Sequence, residues 1–530
     1  MKNNISIEKK IFLALGGYTL LLLLLISSDS YLYDLHSRMD SAWFFMCGKA
    51  WMNGLVPYVD FTDSKGPLLW LIYGIGYLFS PHNYTGVFWI TCLFYWGTFY
   101  LAFKIAFLFL KDNKKALLCS VLMGFAYFNP WFHDEIRSED FGQFFMSLSL
   151  YEVLLLYFDD YLSPKRIRQS FLSLGGCFAA LVLIKFNLAL IQAMLVVCGL
   201  WIAFRKHKGF IPFIHAFFGF FFVVFPFLFY FHYFGDLNAF IQEYFINTVK
   251  TVSANVTDSN NLVAANLPYQ GFPFSYLAEW ADIIYSPRTG AIFTLLITSG
   301  VIMLGNLDRH RWLPLILCTL FFAVTIRHAF YYYFNACAPC LEFLFIGLMS
   351  KLRSVSKPLL SVSSALVIGI VATCHILSYN FKVLFFNDNE ARKDYYAVSS
   401  YLSQIEKPTI VNAFWAETGL GTLAEALPAG RYWSRQVGAT ESMSAGHKAL
   451  ILSGEPDFVI VYNRDKFERN IGMNLDVLQQ KGYQEYTRFG EGECASLYSK
   501  HHLKKVESVE IRQTDILLKR YPRIKYQTLP

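Results

Sequence analysis

Residues 29 to 70 read DSYLYDLHSRMDSAWFFMCGKAWMNGLVPYVDFTDSKGPLLW. Five carboxylates (Asp29, Asp34, Asp40, Asp60 and Asp63) fall in this stretch, and Lys65-Gly66-Pro67 closes it. A carboxylate held close to a hydroxyl can take its proton as that oxygen attacks. A lysine close by can neutralise charge growing on a departing phosphate. Asp40 opens an amphipathic helix expected over roughly 41–53, at the N-cap, where a carboxylate accepts backbone N–H bonds. Capping and catalysis therefore compete for it. Asp60, Asp63 and Lys65 flank the turn at Gly66-Pro67 and read either as solvated turn residues or as part of a site.

A second cluster is WFHDEIRSEDF at 131–141, with His133, Asp134, Glu135, Arg137, Glu139 and Asp140 in one short loop. So many charges between apolar runs are poorly explained by packing, and they read as a solvated loop cap or as functional groups. No second histidine stands at ligand spacing to His133, and the chain has no strict DxD, so neither a metal nor a cofactor is expected. The third set is basic and aromatic: Lys185-Phe186-Asn187, Arg327-His328 and Tyr331-Tyr332-Tyr333. Such residues anchor helix ends at membrane interfaces. They also suit a cradle for a lipid phosphate.

The elements that must position these groups are membrane helices. The chain has 530 residues, 55% hydrophobic, 18% aromatic and only 16% charged. A soluble domain carries about 25% charged residues. A transmembrane helix needs about 20 apolar residues. Eleven candidate spans lie near 11–28, 84–110, 115–131, 140–158, 170–187, 188–204, 210–234, 290–306, 312–326, 329–349 and 358–380. The first is read as an uncleaved span, because no small-residue cleavage site follows it. The run 67–80 is too short to span comfortably and is placed as an interfacial or re-entrant helix. Cytoplasmic loops are rich in Lys and Arg. With the N-terminus inside, the clusters at 111–115, 165–168, 205–208, 309–311 and 351–357 all fall inside, and the C-terminus faces out. Counting 67–80 as a span would send the 111–115 cluster outside.

The acidic loop 29–83, a polar Asn-rich flap 235–289 and residues 381–530 then lie on the outer side. From about 390 the composition is that of a soluble domain. Segments 408–414 and 457–462 read as buried strands, with a final hairpin at 484–489 and 494–499, so a small α/β domain is expected. Residues 500–530 hold eight basic and three acidic residues. They read as a solvated tail or as a contact for anionic headgroups. The ten cysteines lie mostly in apolar runs, where Cys packs as a small hydrophobe. The net charge of +7 is spread over short loops and gives no nucleic-acid signal.

Asp40-Ser41, Gly54, Pro57-Tyr58-x-Asp60 and Asp63-Ser64-Lys65-Gly66-Pro67-Leu68 together resemble the first outer loop of GT-C glycosyltransferases. The protein mannosyltransferase-like and aminoarabinose transferase-like members are the nearest in pattern. Ser138-Glu139-Asp140-Phe141 resembles their second acidic motif, at the start of the fourth helix. The resemblance covers about 1–350 and is loose over 381–530. It implies an all-α polytopic membrane domain (1–380) followed by a small extracytoplasmic α/β domain (381–530). It also implies transfer of a sugar from a polyprenyl-phosphate donor to a hydroxyl acceptor, with inversion. Asp40 matches the catalytic aspartate, Lys65 the residue beside the lipid phosphate, and Asp140 or Glu139 the second acidic position. Lys185 and Arg327 are further phosphate candidates. Tyr58, Asp60, Asp63, His133 and Tyr331 are candidates for positioning substrate. The aminoarabinose transferase-like members carry an acidic residue where this chain has Ser64, which weakens a metal site there.

The expected setting is the outer face of a bacterial inner membrane, with the lipid bilayer and the lipid-linked donor as partners. A surface glycan, a glycolipid, lipid A or a protein would be the acceptor. Two alternatives compete. A polysaccharide ligase or polymerase would share the architecture but take a diphosphate-linked donor and rely on outer arginines, whereas outer acids are prominent here. A lipid-linked sugar transporter or flippase would place charges near the membrane midplane and show two similar halves. Lys104 and Glu152 come nearest to such charges, both toward inner helix ends, and no internal repeat is visible.

Overall fold

The computed structural model describes residues 2–27, 29–30, 39–128, 136–207, 211–248, 250, 312–325, 335–351, 389–413, 418–434, 441–462, 467, 471–489, 495–510 and 523–526. The expected spans near 290–306 and 358–380 lie outside them, as does most of the flap 235–289. The first helices are α1 (Lys2–Ile26), α2 (Met39–Met52), α3 (Pro67–Phe79), α4 (Thr85–Leu110) and α5 (Asn113–Tyr127). They are followed by α6 (Ser138–Phe158), α7 (Pro164–Ile184), α8 (Phe186–His207) and α9 (Ile211–Tyr233). Among the described residues six helices, α1, α4 and α6 to α9, are long and apolar enough to cross a membrane. α3, with 13 residues, is not. The helix expected over 329–349 appears as Ala338–Ser350. Pro339 sits in its first turn, where a missing N–H costs nothing.

The chain divides into two compact units. The first holds Met1–Ser27, Thr91–Phe227 and Leu262–Phe381. Its described residues form a helical bundle. α1 is fixed to α4 by a polar tie among apolar residues: Glu8 accepts from the Tyr100 hydroxyl at 2.6 Å and from Lys104 Nζ at 2.9 Å. Phe12 stacks on Trp96 at 4.4 Å. At the foot of α6, Arg166 Nη2 donates to both carboxylate oxygens of Glu152, at 2.9 and 2.7 Å, and Glu152 also accepts from the Ser170 hydroxyl. This geometry makes a strong charge-assisted bond. α7 and α9 touch through their backbones, because a Cβ on Gly175 would lie 1.8 Å from the Ala216 carbonyl oxygen.

The second unit holds Ser28–Ile90, Leu228–Asn261 and Lys382–Pro530. Its sheet runs in the order β2-β1-β3-β5-β4. The strands are β1 (Thr409–Asn412), β2 (Leu427–Pro428), β3 (Phe458–Tyr462), β4 (Gln484–Phe489) and β5 (Ala495–Ser499). β1 lies parallel to β2 and β3, while β5 runs antiparallel to β3 and β4. Val411, Val459 and Val461 alternate with the rest of the strands to build one apolar face, closed by Ile451, Phe467 and Leu478. Within the basic segment, β6 (Val506–Glu510) pairs antiparallel with β7 (Arg523–Tyr526).

The α2 helix differs from its expectation. An amphipathic helix lying at a surface would leave one face wet, yet every residue from Ser41 to Ala50 is buried. Two neighbours cover it. On one side α3 comes so close that a Cβ on Gly48 would lie 2.4 Å from the Gly74 nitrogen. On the other lie residues of the C-terminal segment. Trp43 meets Trp433 with ring centroids 5.0 Å apart, and Lys49 Nζ donates to the Gly421 carbonyl at 3.1 Å. The sequence could not reveal this cover, because it arrives from residues almost four hundred positions away.

Candidate active site

Asp40 lies in the first turn of α2, which begins at Met39. It is half-buried. Asp40, Phe44 and Cys47 are spaced i, i+4, i+7, so they share one stripe of the helix. The turn 58–65 packs against this stripe. Lys65 Nζ lies 5.6 Å from the centre of the Phe44 ring, within cation–π range. The Cys47 thiol is pushed well above its ordinary value by burial and by the charge of Asp63, with Lys65 pulling the other way. Asp63 and Lys65 are thus both close to the face of α2 that carries Asp40. Phe44 is one turn from Asp40, about 6 Å along the helix axis.

The turn is built tightly. Tyr58 is fully buried and has a φ of 67°, the left-handed region that costs a bulky residue energy. Its hydroxyl donates to the Lys65 carbonyl at 2.9 Å. Burial comes first in holding that phenol well above its ordinary value, with the Tyr244 and Asp63 charges adding to it. Asp60 is used locally: its Oδ2 accepts the Val56 N–H at 2.7 Å. Asp63 is 7% exposed; its Oδ1 accepts from the Ser64 N–H and hydroxyl at 2.6 and 3.2 Å. Its Oδ2 is buried and has no hydrogen-bond partner among the described residues. Lys65 Nζ also reaches the Ser64 hydroxyl at 3.2 Å.

The second acidic pair sits in the helical bundle. Glu139 and Asp140 occupy the first turn of α6 and both are buried. Asp140 Oδ2 accepts the Arg137 N–H at 2.7 Å, one half of a capping box, and its Oδ1 accepts the Tyr95 hydroxyl. Lys185 stands extended in the one-residue link between α7 and α8. Its Nζ donates to Glu139 Oε1, and Ser138 donates to Oε2 at 2.8 Å. Lys185, taken from its position as a phosphate ligand, is therefore buried against a carboxylate. His133, Arg327 and Tyr331 lie outside the described residues.

Sequence reading missed three groups. Glu342 is fully buried in helix Ala338–Ser350, with its Oε1 unpartnered among the described residues. It went unread because it falls inside the apolar run 329–349, which satisfied the length test for a span. Lys49 is fully buried, and burial pulls its ammonium down to about 7, with the Glu425 charge opposing. Glu243, in the π-helical turn Ile241–Asn247, is also buried. A π-turn of this kind gives no sequence signal, although such turns often mark functional places. Among the described residues, no three His, Cys, Asp or Glu side chains converge as a metal site.

Neither the known family models nor the curated proteins contain a match to this chain. Solved structures do. The apo structure of ArnT from Cupriavidus metallidurans superposes with a TM-score of 0.57 at 10% identity, covering 94% of this chain and 98% of that one. The structure of the same protein bound to undecaprenyl phosphate superposes at 0.52, again at 10% identity and with the same coverage. The chain shares the fold of that protein. At this identity the likeness is one of architecture, spanning nearly the whole length of both chains.

Proposed function

We propose that this chain is a membrane glycosyltransferase of the GT-C type. It transfers a sugar from a polyprenyl-phosphate donor to a hydroxyl acceptor at the outer face of a bacterial inner membrane. The observation that carries the reading is the placement of the Lys65 ammonium over Phe44, on the stripe of α2 that Asp40 heads. A general base and a cation for the leaving group then belong to one helix face. The likeness in fold to a protein crystallised with undecaprenyl phosphate supports the choice of donor.

In the proposed step the acceptor oxygen attacks the anomeric carbon as Asp40 takes its proton. The bond from that carbon to the phosphate oxygen breaks, and its electron pair leaves with the phosphate, where Lys65 offsets the new charge. Direct attack inverts the anomeric configuration. Asp60 and the Tyr58 hydroxyl hold the turn, while Asp63 is left to position substrate. Glu139 and Asp140, in the helical bundle, keep the substrate-positioning role the sequence pattern suggests, and Lys185 acts through Glu139. Arg327, His133 and Tyr331 keep the roles the sequence pattern suggests, phosphate binding for Arg327 and positioning for the others. A surface glycan, a glycolipid, lipid A or a protein would serve as acceptor.

The test is transfer of radiolabelled sugar from a synthetic polyprenyl phosphate by the purified full-length chain. Asp40→Asn, expressed at the wild-type level, should abolish transfer. Retention of most of the activity would discard Asp40 as base. Donor uptake without transfer would favour a transporter.

A further inference from the structure

Three segments of the second unit, far apart in the chain, meet at one side chain. Arg431, just after β2, brackets the 58–62 turn from both ends. Its Nε donates to the Val59 carbonyl at 3.0 Å, and its main-chain carbonyl accepts the Thr62 N–H at 3.1 Å. Between these contacts the turn closes on itself, with the Tyr58 N–H on the Phe61 carbonyl at 2.7 Å and Tyr58 in the left-handed region. Such a conformation persists only where its surroundings over-determine it.

Arg431 is itself held. Glu243 Oε1 lies 3.7 Å from its Nη1 and accepts the Tyr432 hydroxyl at 2.8 Å. Glu243 Oε2 accepts the Asn247 amide at 3.1 Å. The Glu243 side chain is 4% exposed, so its charge must be met by neighbours, and these supply one cation and two hydrogen-bond donors. Tyr58 also packs on the rings of Phe240 and Tyr244, at 5.3 and 6.1 Å, which brings the π-helical turn against the same loop.

We propose that Arg431, seated by Glu243, is a positioning residue: it locks the strained 58–62 turn and so sets where Asp63 and Lys65 stand against α2. The C-terminal segment is then a working part of the loop-one site. The role rests on the glycosyltransferase reading above for its kinetic consequence, but the locking itself does not. Because Lys65 is the residue assigned to the donor phosphate, a loosened turn should weaken donor use and leave acceptor use nearly unchanged.

Hydrogen exchange over residues 56–66 of the full-length chain in lipid nanodiscs tests the lock directly. In Arg431→Ala the amides of 59–62 should exchange at least ten-fold faster than in wild type. Thr62 is the telling amide, since its acceptor is the main-chain carbonyl of residue 431, which alanine retains. Glu243→Gln keeps a side chain of the same size and should give a smaller increase in the same amides. It also serves if Arg431→Ala fails to fold. In the transfer assay the donor KM should rise about ten-fold in Arg431→Ala, with the acceptor KM unmoved and Arg431→Lys restoring part of the loss. Unchanged exchange at 59–62 in the variants, or equal changes in donor and acceptor KM, would overturn the proposal. If wild type transfers nothing from a polyprenyl-phosphate sugar, the glycosyltransferase reading fails, and the exchange data still decide whether Arg431 is the lock.

Discussion

Lys65 places its ammonium 5.6 Å from the centre of the Phe44 ring, and Phe44 stands one helical turn beyond Asp40. This relationship converts a sequence spacing of twenty-five residues into a shared helix face. It makes Lys65 the first substitution to examine. Lys65→Met keeps the aliphatic stem over Phe44 and removes the charge. Loss of one preorganised group at a developing charge costs about 100-fold in turnover or more. Transfer measured over a range of lipid donor concentrations should show that loss, with thermal stability near that of wild type. Full activity in Lys65→Met would remove Lys65 from the reaction.

The Glu139–Lys185 pair makes a different prediction, because both groups are buried, with side-chain exposures of 1% and 8%. Removing one partner of a buried ion pair leaves a charge uncompensated, at a cost of about 3–5 kcal/mol. Lys185→Met should therefore lower the unfolding temperature of the detergent-solubilised protein markedly. Glu139→Gln combined with Lys185→Met should recover much of it, since no lone charge remains. A double variant no more stable than Lys185→Met would show that the pair is not coupled in this way.

Much of this arrangement was legible beforehand, for physical reasons. Apolar runs of spanning length define α1, α4 and α6 to α9, and the Pro67 start marks α3 as a separate short helix. The strands at 409–412 and 458–462 coincide with short β-branched runs bounded by polar residues. The Asp40 and Lys65 spacing was visible as a pattern of residue types. What stayed hidden were the long-range partners. Nothing local shows that Lys49 meets Gly421, that Arg431 grips Val59, or that Glu139 takes Lys185 away from solvent. Side-chain pairing across hundreds of residues leaves no period in a single sequence.

Helix packing supplies a third prediction. A Cβ on Gly175 would lie 1.8 Å from the Ala216 carbonyl oxygen, a backbone atom that cannot swing aside. On α1, a Cβ on Gly17 would meet nothing within 4 Å. Gly175→Ala should push α7 and α9 apart and destabilise the bundle by about 1–3 kcal/mol, the usual cost of overpacking. Gly17→Ala should cost nothing, since alanine is the better helix former. Thermal unfolding of both variants in the same detergent checks the contrast. Equal stability would mean that the two helices are not in contact at Gly175.

Lys49 gives the chain a pH dependence whose direction can be worked out. Burial pulls its folded-state pKa down to about 7, with Glu425 opposing, whereas an unfolded lysine titrates near 10.4. Between those values the unfolded chain binds more protons than the folded one at this position. Stability then increases with pH across the window, with a slope of up to about 1.4 kcal/mol per pH unit. Below about 7 the ammonium is charged in both states, and the full cost of burying it is present. The gain is complete once pH passes the unfolded value. Lys49→Met removes the titration, so its unfolding temperature should be flatter than that of wild type between pH 7 and 9. The variant should be the more stable of the two at pH 6.5, although the Gly421 carbonyl loses its donor. Parallel profiles for the two proteins across that range would show that the amine is not buried as charge-averse as its surroundings make it.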